Sequence, residues 1–261
     1  MALCKTEAIV LRTHNYSESS KIVSLYTKRF GKCKVIAKGA RRPNSRLRGH
    51  LETATHITVV FYKKDGRELH TLSQSEIMTT FHDMQFDPER FAYVNALCEL
   101  LDRLTPLEVE SRTVFTLILE SLKMIQKARA EDLNLLLWFF ELRLLSLLGF
   151  RPELHSCVGC RGEAGGKQLG LSLSKGGLLC MKCAMKEEEA YALSPESLAF
   201  LRLLQRIRAE NVTRIKLSRK AAAEIDNLLH AFLKYHTDDF RDIQSLRILS
   251  SIQSRLNLSK T

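Results

Sequence analysis

The 261 residues contain no G-x-x-x-x-G-K-S/T phosphate loop, no G-x-G-x-x-G after a strand, no H-E-x-x-H and no G-x-S-x-G. The usual cradles for nucleotides, catalytic zinc and a nucleophilic serine are therefore missing. The zinc deaminase pattern fails too, because no H-x-E precedes a P-C-x-x-C. A metal nuclease needs clustered carboxylates, and acids are sparse in the first third of the chain. Long apolar runs are also missing: the most apolar window, residues 133–148, is interrupted by Asn134, Glu141, Arg143 and Ser146, which suits a buried helix and not a lipid-facing span. The first ten residues carry no apolar stretch behind a basic start, so no export signal is expected. No enzymatic activity, no membrane partner and a cytoplasmic location are the resulting expectations.

What is abundant is positive charge. The formal net charge is +11, and residues 1–80 hold 15 Lys and Arg against 6 Asp and Glu, a local excess of +9. A polyanion, nucleic acid first, is the partner this asymmetry favours, with a near-neutral remainder as scaffold.

Period-two and turn signals place five strands at residues 8–11, 21–27, 32–38, 53–62 and 69–74, with Asp65-Gly66 as a tight hairpin between the last two. In the fourth, Thr53, Thr55, Ile57, Val59 and Phe61 share one face. No helix interrupts them, so an antiparallel sheet closed as an oligonucleotide-binding (OB) type barrel over residues 1–80 is expected. After a linker at 81–87, Asp87-Pro88-Glu89 announces a change to helical spacing through 91–104, 114–125 and 133–148. Further helices are expected from Ser194-Pro195-Glu196 to about residue 207, from Ser218 to about Tyr235, and at 239–252. The fold class is thus α+β: a five-stranded antiparallel OB-type barrel, then an all-helical domain over 81–255 with an inserted cysteine module at about 150–190.

Between Lys28 and Arg48 stand nine bases and no acid. The stretch from Lys38 to Arg48 is rich in turn formers and reads as a loop between strands three and four. Arginine suits phosphate because its planar fork donates two parallel hydrogen bonds and keeps its charge. Lys34, Lys38, Arg41, Arg42, Arg46 and Arg48 are the candidate DNA-binding residues, with Lys34 and Lys38 on one strand face and Phe30, Tyr26 and Tyr62 as candidate stacking surfaces. A solvated basic face without a ligand is the alternative.

Seven cysteines in a chain without an export signal argue against a disulfide frame. Cys157-x-x-Cys160 and Cys180-x-x-Cys183, nineteen residues apart, have the spacing of a tetrahedral Zn²⁺ site. Four thiolates leave no open coordination position, so one structural zinc ion is expected. A redox dithiol would call for a CxxC beside a βαβ unit, which is missing. His155 is read as a surface residue, and Cys4, Cys33 and Cys98 as partly buried small side chains.

Ala8-Ile-Val-Leu-Arg-Thr, Tyr16-Ser-Glu-Ser-Ser, Phe30-Gly, Ala37-Lys-Gly-Ala-Arg-Arg-Pro, Ser45-Arg-Leu-Arg-Gly and Gly66-Arg-Glu-Leu-His-Thr-Leu resemble the RecO family of bacterial recombinational repair mediators in order and spacing. So do Phe140-Glu-Leu-Arg-Leu-Leu, Leu148-Gly-Phe, both CxxC pairs, Gly176-Gly-Leu-Leu-Cys, Leu193-Ser-Pro-Glu and Tyr235-His. The resemblance implies a non-enzymatic protein that binds single- and double-stranded DNA, anneals complementary strands, engages the C-terminal tail of single-strand-binding protein, and works with RecR to load RecA, in association with the nucleoid. It places DNA contact on Lys38, Arg41, Arg42, Arg46 and Arg48, and zinc on the four patterned cysteines. Some family members carry two bases where this chain has Trp138-Phe139, so it assigns no residue to the tail. A zinc-stabilised OB-fold adaptor for RNA or a protein, and an unrecognised nuclease, are the readings from other classes.

Overall fold

The computed structural model describes residues 2–64, 66–164, 169–187, 189–236, 244–245 and 248–249, with 82 and 85 as backbone only. Two compact units result, residues 1–133 with 243–261, and residues 134–242. In the first unit, β1 (Ala2–Asn15), β2 (Lys21–Thr27), β3 (Gly31–Ala37), β4 (His56–Lys63) and β5 (Leu69–Thr79) are followed by α1 (Pro88–Leu104) and α2 (Arg112–Lys127). The strands are hydrogen-bonded in the order β1-β2-β3-β5-β4, and β4 pairs back to β1.

β1 serves two neighbours. Its first half pairs with β4 and its second with β2, the change being accommodated by an irregularity between Val10 and Arg12. The strand is therefore far longer than the four apolar residues that announce it, because its ends carry solvent-facing polar side chains. Inward positions alternate along each strand: Ala8, Val10, Val23, Leu25, Val35, Ile57, Val59, Phe61 and Leu72 form the core. Thr53 and Thr55 precede β4 and belong to the connection before it.

One expectation is corrected here: the sheet is mixed. β3 and β5 run parallel, with Lys34 opposite Leu69 and Ile36 opposite Thr71. A parallel pair usually needs a helical crossover. Here β4 itself carries the chain back, so two strands separated by one intervening strand point the same way without a helix. Asp65 of the expected hairpin lies outside the described residues; Gly66 takes φ +68°.

α1 and α2 begin on side-chain caps. The Asp87 carboxylate accepts from the Arg90 amide at 3.1 Å ahead of Pro88, and Ser111 Oγ accepts from the Val114 amide at 3.3 Å. Val114, Phe115, Ile118, Leu122 and Ile125 form the buried stripe of α2. The expected linker holds a short 3-10 turn, His82–Phe86.

The second unit comprises α3 (Leu133–Leu147, whose first residue falls with the first unit), β6 (Leu169–Ser172), β7 (Gly177–Leu179), α4 (Met181–Ala184), β8 (Ala190–Leu193), α5 (Pro195–Leu204) and α6 (Arg219–His236). α3 is apolar on every side and buries Leu136, Trp138, Phe140 and Leu144, as a helix at the centre of a core must. Ser194 and Ser218 cap α5 and α6 through the amides of Ser197 and Ala221. The expectation of an all-helical domain is corrected, since β7-β6-β8 form an antiparallel sheet. Strands of three and four residues are too short to show a period. Of the helix expected at 239–252, only residues 244, 245, 248 and 249 lie among those described, and they are helical. No described helix is long and apolar enough to cross a membrane.

Candidate nucleic-acid interface and metal centre

The connection from β3 to β4 is built from successive turns. The amides of Arg42, Ser45 and Arg48 donate to the carbonyls of Gly39, Arg42 and Ser45 at 3.0 to 3.2 Å, and His50 N donates to Leu47 O at 3.2 Å. Gly39 at φ +70° and Gly49 at φ +78° supply the left-handed backbone that such turns demand. Each three-residue step carries the chain through one turn.

This connection is stapled to the sheet. Ala40 and Leu51 are buried in the core and Leu47 packs against it. Thr13 Oγ1 donates to Leu51 O at 2.6 Å, Ala54 N to Val10 O at 2.7 Å, and Arg41 N to Ser19 O at 3.0 Å. Lys21 Nζ reaches Glu52 at 3.4 Å. Apolar side chains point inward and bases outward, so the charge sits on an ordered frame.

Lys38, Arg41, Arg42, Arg46 and Arg48 are all exposed on this one connection. Among the described residues no carboxylate lies within ion-pair distance of any of them. Arg41 is engaged differently: its Nη1 donates to Ser17 O at 2.5 Å. Of the remaining bases of the run, Arg29 is exposed and lies over the Phe30 ring at 5.6 Å, and the other three have polar partners. Lys28 pairs with Glu7 at 2.5 Å, Lys32 is buried and bonds Asp102 O, and Lys34 on β3 lies 3.8 Å from Glu68. β3 ends at Ala37, so Lys38 stands past the strand and does not share a face with Lys34.

Of the three aromatics considered for stacking, Tyr26 is buried, and burial pushes its hydroxyl up to about 12. Phe30 packs edge-on against Phe61 with ring centroids 5.7 Å apart. Tyr62 alone keeps a large exposed area, 42%. Sequence reasoning passed over Tyr16, which is 61% exposed in the β1–β2 turn that holds Arg41. Its signal was a turn-like Asn15-Tyr16-Ser17 within a polar stretch, which by itself says nothing of a base-binding surface.

In the second unit the Sγ atoms of Cys157, Cys160, Cys180 and Cys183 all lie within 4.8 Å of one another. Four sulfurs about 2.3 Å from a tetrahedral zinc are roughly 3.8 Å apart, and Cys160 and Cys180 are separated by 3.9 Å. The donor set fits a metal ion. Gly159 is needed there: a Cβ on it would stand 3.0 Å from Cys183 Sγ. Burial disfavours the Cys157 thiolate, but the amides of Cys180, Cys160 and Gly159 point at its sulfur and outweigh that, drawing its pKa down to about 6. The thiol of Cys183 moves the other way, to about 12, chiefly because it hydrogen-bonds to Cys180 and Cys157. A cation at the centre would remove this competition by holding all four as thiolates. His155 stands apart from the cluster and meets Arg206 at 3.0 Å. Cys4, Cys33 and Cys98 are buried singly, and burial raises the thiols of Cys33 and Cys98 to about 11 and about 12.

Two family models together match almost the whole chain: Recombination protein O N terminal over residues 1–81, and Recombination protein O C terminal over residues 85–242. Curated relatives called DNA repair protein RecO include one from Symbiobacterium thermophilum, 37% identical over 97% of this chain and 99% of that protein. Those from Halalkalibacterium halodurans and Bacillus subtilis are 31% and 29% identical, covering 96% and 98% of this chain and 95% and 97% of theirs.

Proposed function

Because this chain belongs to the RecO family of DNA repair proteins, we propose that it binds and anneals DNA strands without a chemical step of its own, helping to load recombinase onto DNA coated by single-strand-binding protein. The observation that carries this reading is the stapled connection with its outward-facing Lys38, Arg41, Arg42, Arg46 and Arg48. Guanidinium groups on a fixed frame neutralise phosphates without reading bases, which is what pairing of arbitrary complementary strands requires. Lys34 adds a base on the neighbouring strand.

In this reading residues 1–80 are the DNA-binding domain. Their strand order, with one parallel ladder between β3 and β5, supports an OB-type barrel. The chain after residue 80 supplies the helices, and one structural Zn²⁺ on Cys157, Cys160, Cys180 and Cys183 ties the module at about 150–190 together. RecR and the tail of single-strand-binding protein are its protein partners, and it acts in the cytoplasm at the nucleoid. Arg143, a base close to the Phe-Glu-Leu motif, already donates to Ile207 O at 2.6 Å and lies over the Phe139 ring, so the tail is left without an assigned residue.

The test is electrostatic. If about five bases displace counterions from a single strand, log affinity falls against log salt with a slope of roughly −3 to −4. Fluorescence anisotropy on a labelled oligonucleotide at several salt concentrations measures it, and a flat dependence would refute the reading.

A further inference from the structure

We propose that Tyr16 is a base-stacking residue that gives the basic surface a preference for single strands. The inference rests on the DNA-binding reading above and deepens it.

The β1–β2 turn is held in place from three sides. Asn15 pairs with Lys21 at the last rung of the ladder. Tyr16 N donates to Ser20 O at 3.0 Å, and the Ser20 amide donates to Ser17 Oγ at 3.2 Å, which close the turn. Arg41 then ties it to the basic connection twice, through its amide to Ser19 O and its guanidinium to Ser17 O. The backbone of Tyr16 is thus fixed, while the residue as a whole is 61% exposed.

An exposed aromatic ring is common at a protein surface. What sets Tyr16 apart is its neighbour: a guanidinium from a run of phosphate-competent bases is bonded one residue away in sequence, at the carbonyl of Ser17. A strand whose phosphates lie along Arg42, Arg46 and Arg48 would continue towards this turn. Every base has a π-face, so an aromatic platform beside a cationic track binds unpaired nucleotides irrespective of sequence. In a duplex those faces are covered by neighbouring base pairs. Tyr16 therefore favours single over double strands, and it leaves the hydrogen-bonding edge of the base free for a complementary strand.

The experiment compares the full chain and its Tyr16→Ala, Tyr16→Phe and Tyr16→Trp variants on three probes: a 15-residue oligo-dT, an abasic deoxyribose phosphate strand of equal length, and a duplex. Tyr16→Ala should weaken oligo-dT binding about ten-fold while changing affinity for the abasic strand and the duplex less than two-fold. Tyr16→Phe should match the parent, because the ring and not the hydroxyl is used. Tyr16→Trp should bind oligo-dT with quenched indole emission and the abasic strand without quenching. Equal losses on all three probes, or no loss on oligo-dT, would overturn the stacking role while leaving the basic surface standing. If the parent chain binds none of the three probes, the DNA-binding reading fails and this inference with it.

Discussion

Arg41 and Arg42 are adjacent and do different things. Arg41 donates one guanidinium N–H to Ser17 O and its amide to Ser19 O, holding the frame while the rest of its exposed head stays open; Arg42 has no carboxylate within ion-pair distance among the described residues and is exposed to solvent. Chemistry at single residues also decides the cysteine module. Cys180 contributes both a candidate ligand and an amide that donates to Cys157 Sγ at 3.3 Å. Cys180→Ser keeps the amide and removes the thiolate, leaving three sulfurs where four enclose the centre. If the four cysteines hold zinc as proposed, the variant should purify without the zinc that the parent carries and melt on the order of 10 °C lower, since the free energy of structural zinc binding is folding free energy. Atomic emission on the purified protein and a thermal melt check this, and full zinc occupancy with an unchanged melt would contradict it.

Among the elements, the β2–β3 hairpin and the segment joining α1 to α2 are locked by one glycine. Gly31 sits at φ +63°, and a Cβ there would come within 1.9 Å of Val109 O. That close approach lets Glu108 N donate to Lys32 O at 2.8 Å, while the Glu108 carboxylate takes Lys63 and the buried His70 at 2.8 and 2.7 Å. The hydrogen bond from Lys63 leads in holding Glu108 below the usual carboxylate range. Gly31→Ala should cost about 2 kcal/mol or more, from left-handed strain and displacement of the 107–109 backbone. The basic β3–β4 connection should keep its arrangement, since its side-chain and backbone ties run to β1, the β1–β2 turn and Lys21 at the far end of β2. Denaturant unfolding read beside a binding titration separates the two effects, and an unchanged midpoint would refute the lock.

How much was legible beforehand follows from the range of the forces involved. Strand four was readable because Ile57, Val59 and Phe61 alternate on a half-buried face, and α1 because Asp87 and Pro88 mark its start locally. The cysteine cluster was readable because a metal site writes its geometry into spacing. The parallel β3–β5 ladder and the change of partner along β1 were not, since they depend on residues brought together from far apart, and the small β7-β6-β8 sheet was not because its strands are too short to show a period. The union of Arg41 with the turn at Ser17, 24 residues away, was illegible for the same reason, and with it the place of Tyr16.

For the molecule as a whole, charge separates the chain into two roles. Of the formal +11, residues 1–80 carry +9, and the β3–β4 connection displays much of it on an ordered surface. The remainder is close to neutral, and most of its described secondary structure is helical. A basic field of this kind accelerates encounter with DNA and holds it without regard to sequence. The most direct test replaces Lys38, Arg41, Arg42, Arg46 and Arg48 together by alanine, with circular dichroism to verify that the sheet persists. DNA affinity should fall at least about 100-fold, the salt slope should move towards zero, and complementary oligonucleotides coated with single-strand-binding protein should pair no faster than without the protein. A folded variant that still binds and pairs strands like the parent would contradict the account.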